Sequence, residues 1–282
     1  MNNPIIGVAG SGVMGGGIAQ MLAEHGFRVV LWDVEKEWAQ NGLGKIRKRL
    51  SGSVEKGKLA PERAAEIVNL IAVADGVESL EQAELVIEAI VENPEIKKEF
   101  YARLEAVIAP EAIIGTNTSS LSVMALAAGL VRPERFLGIH FFNPPTKLEL
   151  VELILTPILR PEVKTRVNAI LDACGKTVVE VRDSPGFIVN RLLLPLINEA
   201  AKLLDEGVAA PEAIDTAMEL GALYPAGPLK VADLVGLDVC KHILEVLQRS
   251  TGRADFAPAA IINQLVAAGR LGRKSGAGFY QY

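Results

Sequence analysis

The chain has 282 residues, half of them hydrophobic, 22% charged and a net charge of −5. It is long enough to bury a real core in one large domain or two moderate ones, and its charge offers no global attraction for nucleic acid or an anionic membrane. Cys174 and Cys240 lack CxxC spacing and His25, His140 and His242 are scattered, so the pattern fits a reducing compartment and suggests no metal site.

In chain order, the start Met1-Asn2-Asn3-Pro4 has no basic region followed by an apolar core and a cleavage site. No run of about 20 residues is uniformly apolar. The expected location is the cytoplasm. Residues 5–9 form a short apolar run, as in a strand buried on both faces. A glycine-rich turn at 10–15 leads into a helix through 18–22 that ends near Gly26. A second strand, 28–32, ends at Asp33, which completes a βαβ unit. Residues 35–68 look helical and charged, with Gly52 and Gly57 as weak points. Strands are expected at 71–74, 85–91, 112–115, 136–140 and 178–181, and a helix at 95–108. This alternation predicts an α/β fold: a Rossmann-type, doubly wound, mostly parallel sheet with helices on both faces. After Asp183-Ser184-Pro185-Gly186 the pattern becomes helical through 187–268, so the expected domains are 1–184 and an all-helical 185–282. The apolar helix containing Leu192, Leu193, Leu194, Leu196 and Ile197 must be covered, within its domain or by another subunit.

Gly10-Ser11-Gly12-Val13-Met14-Gly15 matches G-x-G-x-x-G, a weak signal alone. Here it follows a strand, opens a helix and precedes an acid about 20 residues on, as a dinucleotide fingerprint requires. Gly10 makes the turn, Gly12 admits the pyrophosphate, and Gly15 lets helix and strand pack closely. Asp33 suits the adenosine ribose hydroxyls and repels a 2′-phosphate, which favours NAD over NADP, although Arg28 and Lys36 lie nearby in sequence. The fold alone names no substrate.

His140-Phe141-Phe142-Asn143-Pro144-Pro145 follows a strand and places a histidine where open sheets hold ligands. Histidine suits proton removal from an alcohol near neutral pH. Glu152, flanked by Val151 and Leu153 in the apolar stretch 148–155, is expected to be buried and to need a partner, His140. Glu149 reads as a half-exposed strand acid. Thr116-Asn117-Thr118-Ser119-Ser120-Leu121 sets hydrogen-bonding side chains at a strand end; Ser120 could simply cap a helix, which leaves the others unexplained.

With these motifs, and with Asp183-Ser184-Pro185-Gly186-Phe187-Ile188-Val189-Asn190-Arg191 and Gly272-Arg273-Lys274-Ser275-Gly276-Ala277-Gly278-Phe279-Tyr280, the whole chain resembles the short-chain L-3-hydroxyacyl-CoA dehydrogenases, in particular the bacterial 3-hydroxybutyryl-CoA dehydrogenases. The resemblance implies hydride transfer between NAD and C3 of a short (S)-3-hydroxyacyl-CoA. It implies His140 as acid/base, Glu152 as its orienting partner, and Ser119 and Asn190 as substrate hydrogen-bonders. Val13 and Met14 join the glycines, Asp33 and Ser119 at the cofactor. Glu92, Lys97, Asn117, Asn143 and Lys274 match positions that contact it, although Glu92 alone reads as a polar residue closing a strand and Lys97 as a solvated helix charge. Lys56 matches a position covering the acyl-CoA, within a basic group with Arg47, Lys48, Arg49 and Lys58 that otherwise reads as an ordinary helix face. Gly52 stands where some relatives carry a second lysine. The resemblance also implies that the C-terminal tail packs back on the fold and that the helical domain forms a homodimer. The rival readings are a dehydrogenase of a sugar acid or free 3-hydroxy acid, and a nucleotide-binding protein without turnover.

Overall fold

The computed structural model describes residues 4–282; the Met1-Asn2-Asn3 start lies outside them. The chain divides into one compact unit ending at Asp183 and a second, Ser184–Tyr282.

The first unit opens with β1 (Ile5–Ala9), α1 (Val13–Glu24) and β2 (Arg28–Trp32). The stretch read as one long helix is two, α2 (Lys36–Glu55) and α3 (Pro61–Asn69). Gly52 stays inside α2; the break comes after it, where Gly57 takes φ +65° and Pro61 restarts the helix at its first turn. Then follow β3 (Ile71–Val73), β4 (Leu85–Glu88), α4 (Pro94–Glu105), β5 (Ile113–Thr116), α5 (Val123–Ala127), β6 (Phe136–Phe141), β7 (Leu150–Leu155), α6 (Pro161–Ala173) and β8 (Thr177–Arg182). β4 stops at Glu88, three residues before the expected end, because the Glu88 carboxylate takes the Ile90 N–H and turns the chain out of the ladder. Asn93 then caps α4 by accepting from the N–H groups of Glu95 and Ile96.

The eight strands form one sheet in the order β3-β2-β1-β4-β5-β6-β7-β8. The first six are parallel in the doubly wound order, with the topological switch between β1 and β4. β7 runs antiparallel to β6, and β8 parallel to β7. Ile6, Val8, Ile18, Leu22, Leu31, Ile87, Ile113, Leu137 and Ile139 are fully buried in the core. Each contributes about 1.5–3 kcal/mol of transfer free energy before chain entropy is set against it.

The second unit is all-helical: α7 (Val189–Asp205), α8 (Pro211–Gly221), α9 (Pro228–Val235), α10 (Leu237–Thr251) and α11 (Ala260–Ala267). α7 buries Leu194, Ile197 and Ala201 against Leu229, Leu237, Leu244 and Ile262. Two buried acids hold the C-terminal tail. Asp215 accepts from the Leu229 and Lys230 N–H groups and the Tyr280 hydroxyl, and Asp233 from the Phe279 and Tyr280 N–H groups and the Tyr282 hydroxyl. The tail is thus anchored within this unit.

Cys174 and Cys240 are buried free thiols, and burial pushes each up to about 12, so both are inert at neutral pH. Among the described residues no helix is long and apolar enough to cross a membrane, and no cluster of three metal-ligating side chains forms.

Candidate functional site

The glycine turn sits at the β1/β4 switch point. Gly10 adopts φ +95°, and a Cβ there would lie 2.5 Å from the Ala89 carbonyl oxygen. A Cβ on Gly15 would lie 1.8 Å from the Gly10 carbonyl oxygen. Gly12 is different: a Cβ would meet nothing within 4 Å. Gly12 is also the N-cap of α1 and offers no side-chain bond, so the first-turn N–H groups, beside exposed Val13 and half-buried Met14, have no side-chain partner. An uncapped helix end with open space above a glycine suits a phosphate group.

Beside it lies a mainly apolar cavity of about 470 Å³ bordered by Gly10, Asp33, Trp32, Trp38, Ile96 and Phe100. Trp32 stacks on Phe100 with ring centroids 4.8 Å apart. Asp33 Oδ2 accepts from both the N–H and the hydroxyl of Ser11, at 2.7 and 2.6 Å, and Oδ1 accepts the Val34 N–H. A carboxylate keeps further acceptor capacity beyond these bonds. Asp33 therefore ties the glycine turn to the end of β2, a link through Ser11 that the motif letters do not reveal. Uncapped N–H groups, a carboxylate at the strand end and a flat-walled apolar cavity together fit a dinucleotide.

His140 lies near the C-terminal end of β6, and Glu152 lies directly opposite it in the antiparallel β6–β7 ladder. Directly opposed residues project to the same face of a sheet. The two side chains meet, with His140 Nδ1 2.7 Å from Glu152 Oε2. They are 5% and 1% exposed, so the carboxylate is the buried acid expected from its apolar neighbours. With Glu152 ionised, Nδ1 carries the proton and Nε2 the lone pair. Glu149 is exposed and falls just before β7.

The segment after β5 forms a hydrogen-bonded array. Glu92 Oε1 accepts from the Thr118 hydroxyl, the Ser119 N–H and the Ser120 hydroxyl. The helix cap is Ser122, not Ser120, since Ser122 accepts the Ala125 N–H while Ser120 turns to Glu92. Burial works to raise the Glu92 pKa, but Lys97, Thr118 and the Ser119 N–H outweigh it and hold it below the usual carboxylate range. A carboxyl so held stabilises the fold at neutral pH and loses that contribution as pH falls toward its folded value. Asn117 accepts the Phe141 N–H through Oδ1 at 2.9 Å, which joins this segment to β6 beside His140. Asn143 is exposed and precedes a cis bond to Pro144.

Lys97 is only 1% exposed, between Glu88 and Glu92, and is no solvated charge. Nothing local in its helix reveals this, because its partners come from β4 and the turn that follows. Lys56 is exposed at the C-cap of α2. Arg47, Lys48 and Arg49 are all exposed, and Arg49 donates to Gln20 and the Gly16 carbonyl. A Cβ at Gly52 would meet nothing within 4 Å. In the second unit, Asn190 is buried in the first turn of α7, and the Lys274 ammonium pairs with Asp238 on α10.

Comparison with known proteins bears on both units. The family described as "3-hydroxyacyl-CoA dehydrogenase, NAD binding domain" matches residues 5–184, and "3-hydroxyacyl-CoA dehydrogenase, C-terminal domain" matches 186–282. The chain is 45% identical over 275 residues to a probable 3-hydroxybutyryl-CoA dehydrogenase of Bacillus subtilis (strain 168), covering 98% of this chain and 96% of that one. It is 43% identical over 277 residues to the 3-hydroxybutyryl-CoA dehydrogenase of Bradyrhizobium diazoefficiens, with 98% and 94% covered. The crystal structure of (S)-3-hydroxybutyryl-CoA dehydrogenase from Ralstonia eutropha superposes with a TM-score of 0.93 at 39% identity, covering 100% and 99% of the two chains. With the dinucleotide cradle and the buried histidine–glutamate pair, these matches establish that the chain belongs to the 3-hydroxyacyl-CoA dehydrogenase family of NAD-dependent oxidoreductases.

Proposed function

We propose that this chain interconverts short-chain (S)-3-hydroxyacyl-CoA and 3-oxoacyl-CoA, with 3-hydroxybutyryl-CoA and acetoacetyl-CoA as the pair, and that His140 is the acid/base. The observation that carries this reading is the buried His140–Glu152 pair at the end of β6. NAD, when bound, supplies the acceptor for the hydride leaving C3. His140 Nε2 takes the hydroxyl proton in oxidation and returns it to the 3-oxo oxygen in reduction. Glu152 holds the ring tautomer and stabilises the imidazolium without itself becoming protonated, as in a triad. Ser119 and Asn190 hold the C3 oxygen and thioester region. Gly10, Gly12, Val13, Met14 and Gly15 take the pyrophosphate, and Asp33 the ribose. Glu92, Asn117, Asn143, Ser119 and Lys274 complete the cofactor site, with Lys97 behind Glu92. A domain division near residue 184 assigns Asn190 and Lys274 to the helical part and the other named contacts to the first. The exposed leucines 192, 220, 223 and 234 of that part support a homodimer formed through it.

The deciding experiment follows loss of NADH absorbance with acetoacetyl-CoA and, separately, with free acetoacetate. Turnover of the thioester alone is expected. Turnover of the free acid instead would move the protein among the free-acid dehydrogenases, and NADH binding without turnover of either would make it a non-catalytic binder.

Cofactor choice follows from Asp33. Asp33→Asn keeps an oxygen for the Ser11 N–H but removes the charge that repels a 2′-phosphate. The ratio of kcat/KM for NAD over NADP should fall about tenfold or more. An unchanged ratio would remove the assigned role.

Gly52 offers a gain. Because its Cβ position is open, Gly52→Lys should relieve the helix of a glycine, worth about 0.5–1 kcal/mol. It should also lower KM for acetoacetyl-CoA about two- to fivefold at low salt, a benefit that fades as salt rises. A thermal melt and KM values at two salt concentrations check both parts.

A further inference from the structure

Glu88 ends β4 at the ligand-binding edge of the sheet and is 0% exposed. Its carboxylate takes four donors. Oε1 accepts the Ile90 N–H and the Lys97 ammonium, and Oε2 accepts the Tyr101 and Thr116 hydroxyls. An ionised carboxylate has about four acceptor sites, so Glu88 is saturated within the protein and has nothing left for cofactor or substrate. The buried Lys97 ammonium spans from Glu88 to Glu92, at 3.3 Å from Glu92 Oε2. The other oxygen of Glu92 carries Thr118, Ser119 and Ser120. Thr116 meanwhile accepts the Thr118 N–H, and the Glu88 carbonyl accepts the Asn117 N–H. One continuous chain of polar contacts therefore runs from Tyr101 on α4, through Glu88, Lys97 and Glu92, to the backbone of Ser119.

A helix docks on a sheet without such an array. Removing Glu88 and Lys97 from water carries a penalty of several kcal/mol per ion, and a buried ion pair is often no more stabilising than packed apolar side chains of the same volume. What ions with saturated hydrogen bonds provide is one fixed geometry. The rings around them already supply the packing, since Tyr101 lies edge-on to Phe136 at 5.1 Å and beside Phe100. The Tyr101 hydroxyl adds its bond to Glu88, with Thr116 beside it.

We propose that Tyr101 and Glu88 are positioning residues for the Ser119 segment, acting through Lys97 and Glu92. This rests on the reading above in which Ser119 holds the substrate. Tyr101, Glu88 and Lys97 are the rear wall of the site, behind Glu92: they touch no ligand, and they set where the Ser119 backbone and side chain stand.

Two variants of the full chain test it. Tyr101→Phe removes one hydroxyl and leaves the ring. The double variant Glu88→Leu/Lys97→Met replaces the ions by apolar groups of similar size. Hydrogen–deuterium exchange of the Ser119 and Ser120 amides is read together with the melting temperature and with kcat and KM for acetoacetyl-CoA. In Tyr101→Phe, where Glu88 keeps three of its four donors, the melting temperature should fall by only a few degrees. Those amides should exchange about tenfold faster than this loss of global stability alone would give, and kcat/KM should fall about 10- to 100-fold through both parameters. The double variant should lose more activity, and it should also melt lower than the parent, because the Ile90 N–H and the Tyr101 and Thr116 hydroxyls lose their acceptor. Parent-like exchange at Ser119 together with parent-like kcat/KM in Tyr101→Phe would overturn the proposal and leave α4 docking as the array's only work. Should the parent fail to turn over the thioester, the functional reading falls, whereas the exchange measurement still decides whether the array positions Ser119.

Discussion

His140→Ala is expected to lower kcat by about 10²- to 10⁴-fold, the usual contribution of a positioned acid/base, while NADH still binds. The base lies on β6, whereas the glycine turn and the cavity beside Asp33 are built from the ends of β1 and β2, the turn after β4, and residues of α2 and α4. The substitution also takes one partner from Glu152, which is 1% exposed and is bonded to the His140 ring. Losing a hydrogen bond to a buried charged group costs about 1.5–3 kcal/mol, so a lower melting temperature should accompany the loss. Glu152→Gln separates the two effects. It keeps an oxygen for the Nδ1 proton but cannot stabilise the imidazolium, so the rate should fall while the fold holds. The checks are steady-state kinetics, NADH titration and a thermal melt on each variant. A kcat within a fewfold of the parent in His140→Ala would overturn the assigned chemistry.

The second large effect is expected at the glycine turn, where two substitutions should fail differently. Gly10→Ala puts a side chain at φ +95° and drives its Cβ to 2.5 Å from the Ala89 carbonyl oxygen. Both partners are backbone and neither can swing away. The strained dihedral costs about 1–3 kcal/mol and the overlap about as much again, so stability should fall and NAD affinity should drop about 100-fold or more. Gly12→Ala meets no protein atom within 4 Å. It should melt like the parent yet still lose cofactor affinity, because the new methyl occupies the space a pyrophosphate needs. Calorimetric NAD titration beside urea unfolding distinguishes the two. If Gly12→Ala binds NAD as the parent does, the pyrophosphate does not lie over that residue.

The features legible from sequence are those whose causes are local. Strand, glycine turn, helix, strand and Asp33 fall within about 30 residues and each announces itself. Glu152 was legible for another reason: an acid among Val151 and Leu153 has to find a partner, and His140 was the group available. That they meet across an antiparallel rung was not legible, because a chain that alternates strand and helix predicts parallel neighbours, and β7 follows β6 without an intervening helix. Lys97 looked solvated since its partners come from β4 and the following turn rather than from its own helix face. Likewise Asp215 and Asp233 carry no motif, and their partners in the tail lie 46 to 65 residues away. Ser122 displaced Ser120 as the helix cap because Glu92, 28 residues earlier, claims the Ser120 hydroxyl.

The chain has two tryptophans, and both border the cavity beside Asp33. Trp32 is packed on Phe100 inside it, while Trp38 is largely exposed at its rim. All indole emission of the protein thus originates at one place. An adenine ring entering there would change the polarity around both indoles at once, so occupancy can be followed by intrinsic fluorescence without label or coupled assay, in the inactive His140→Ala protein as readily as in the parent.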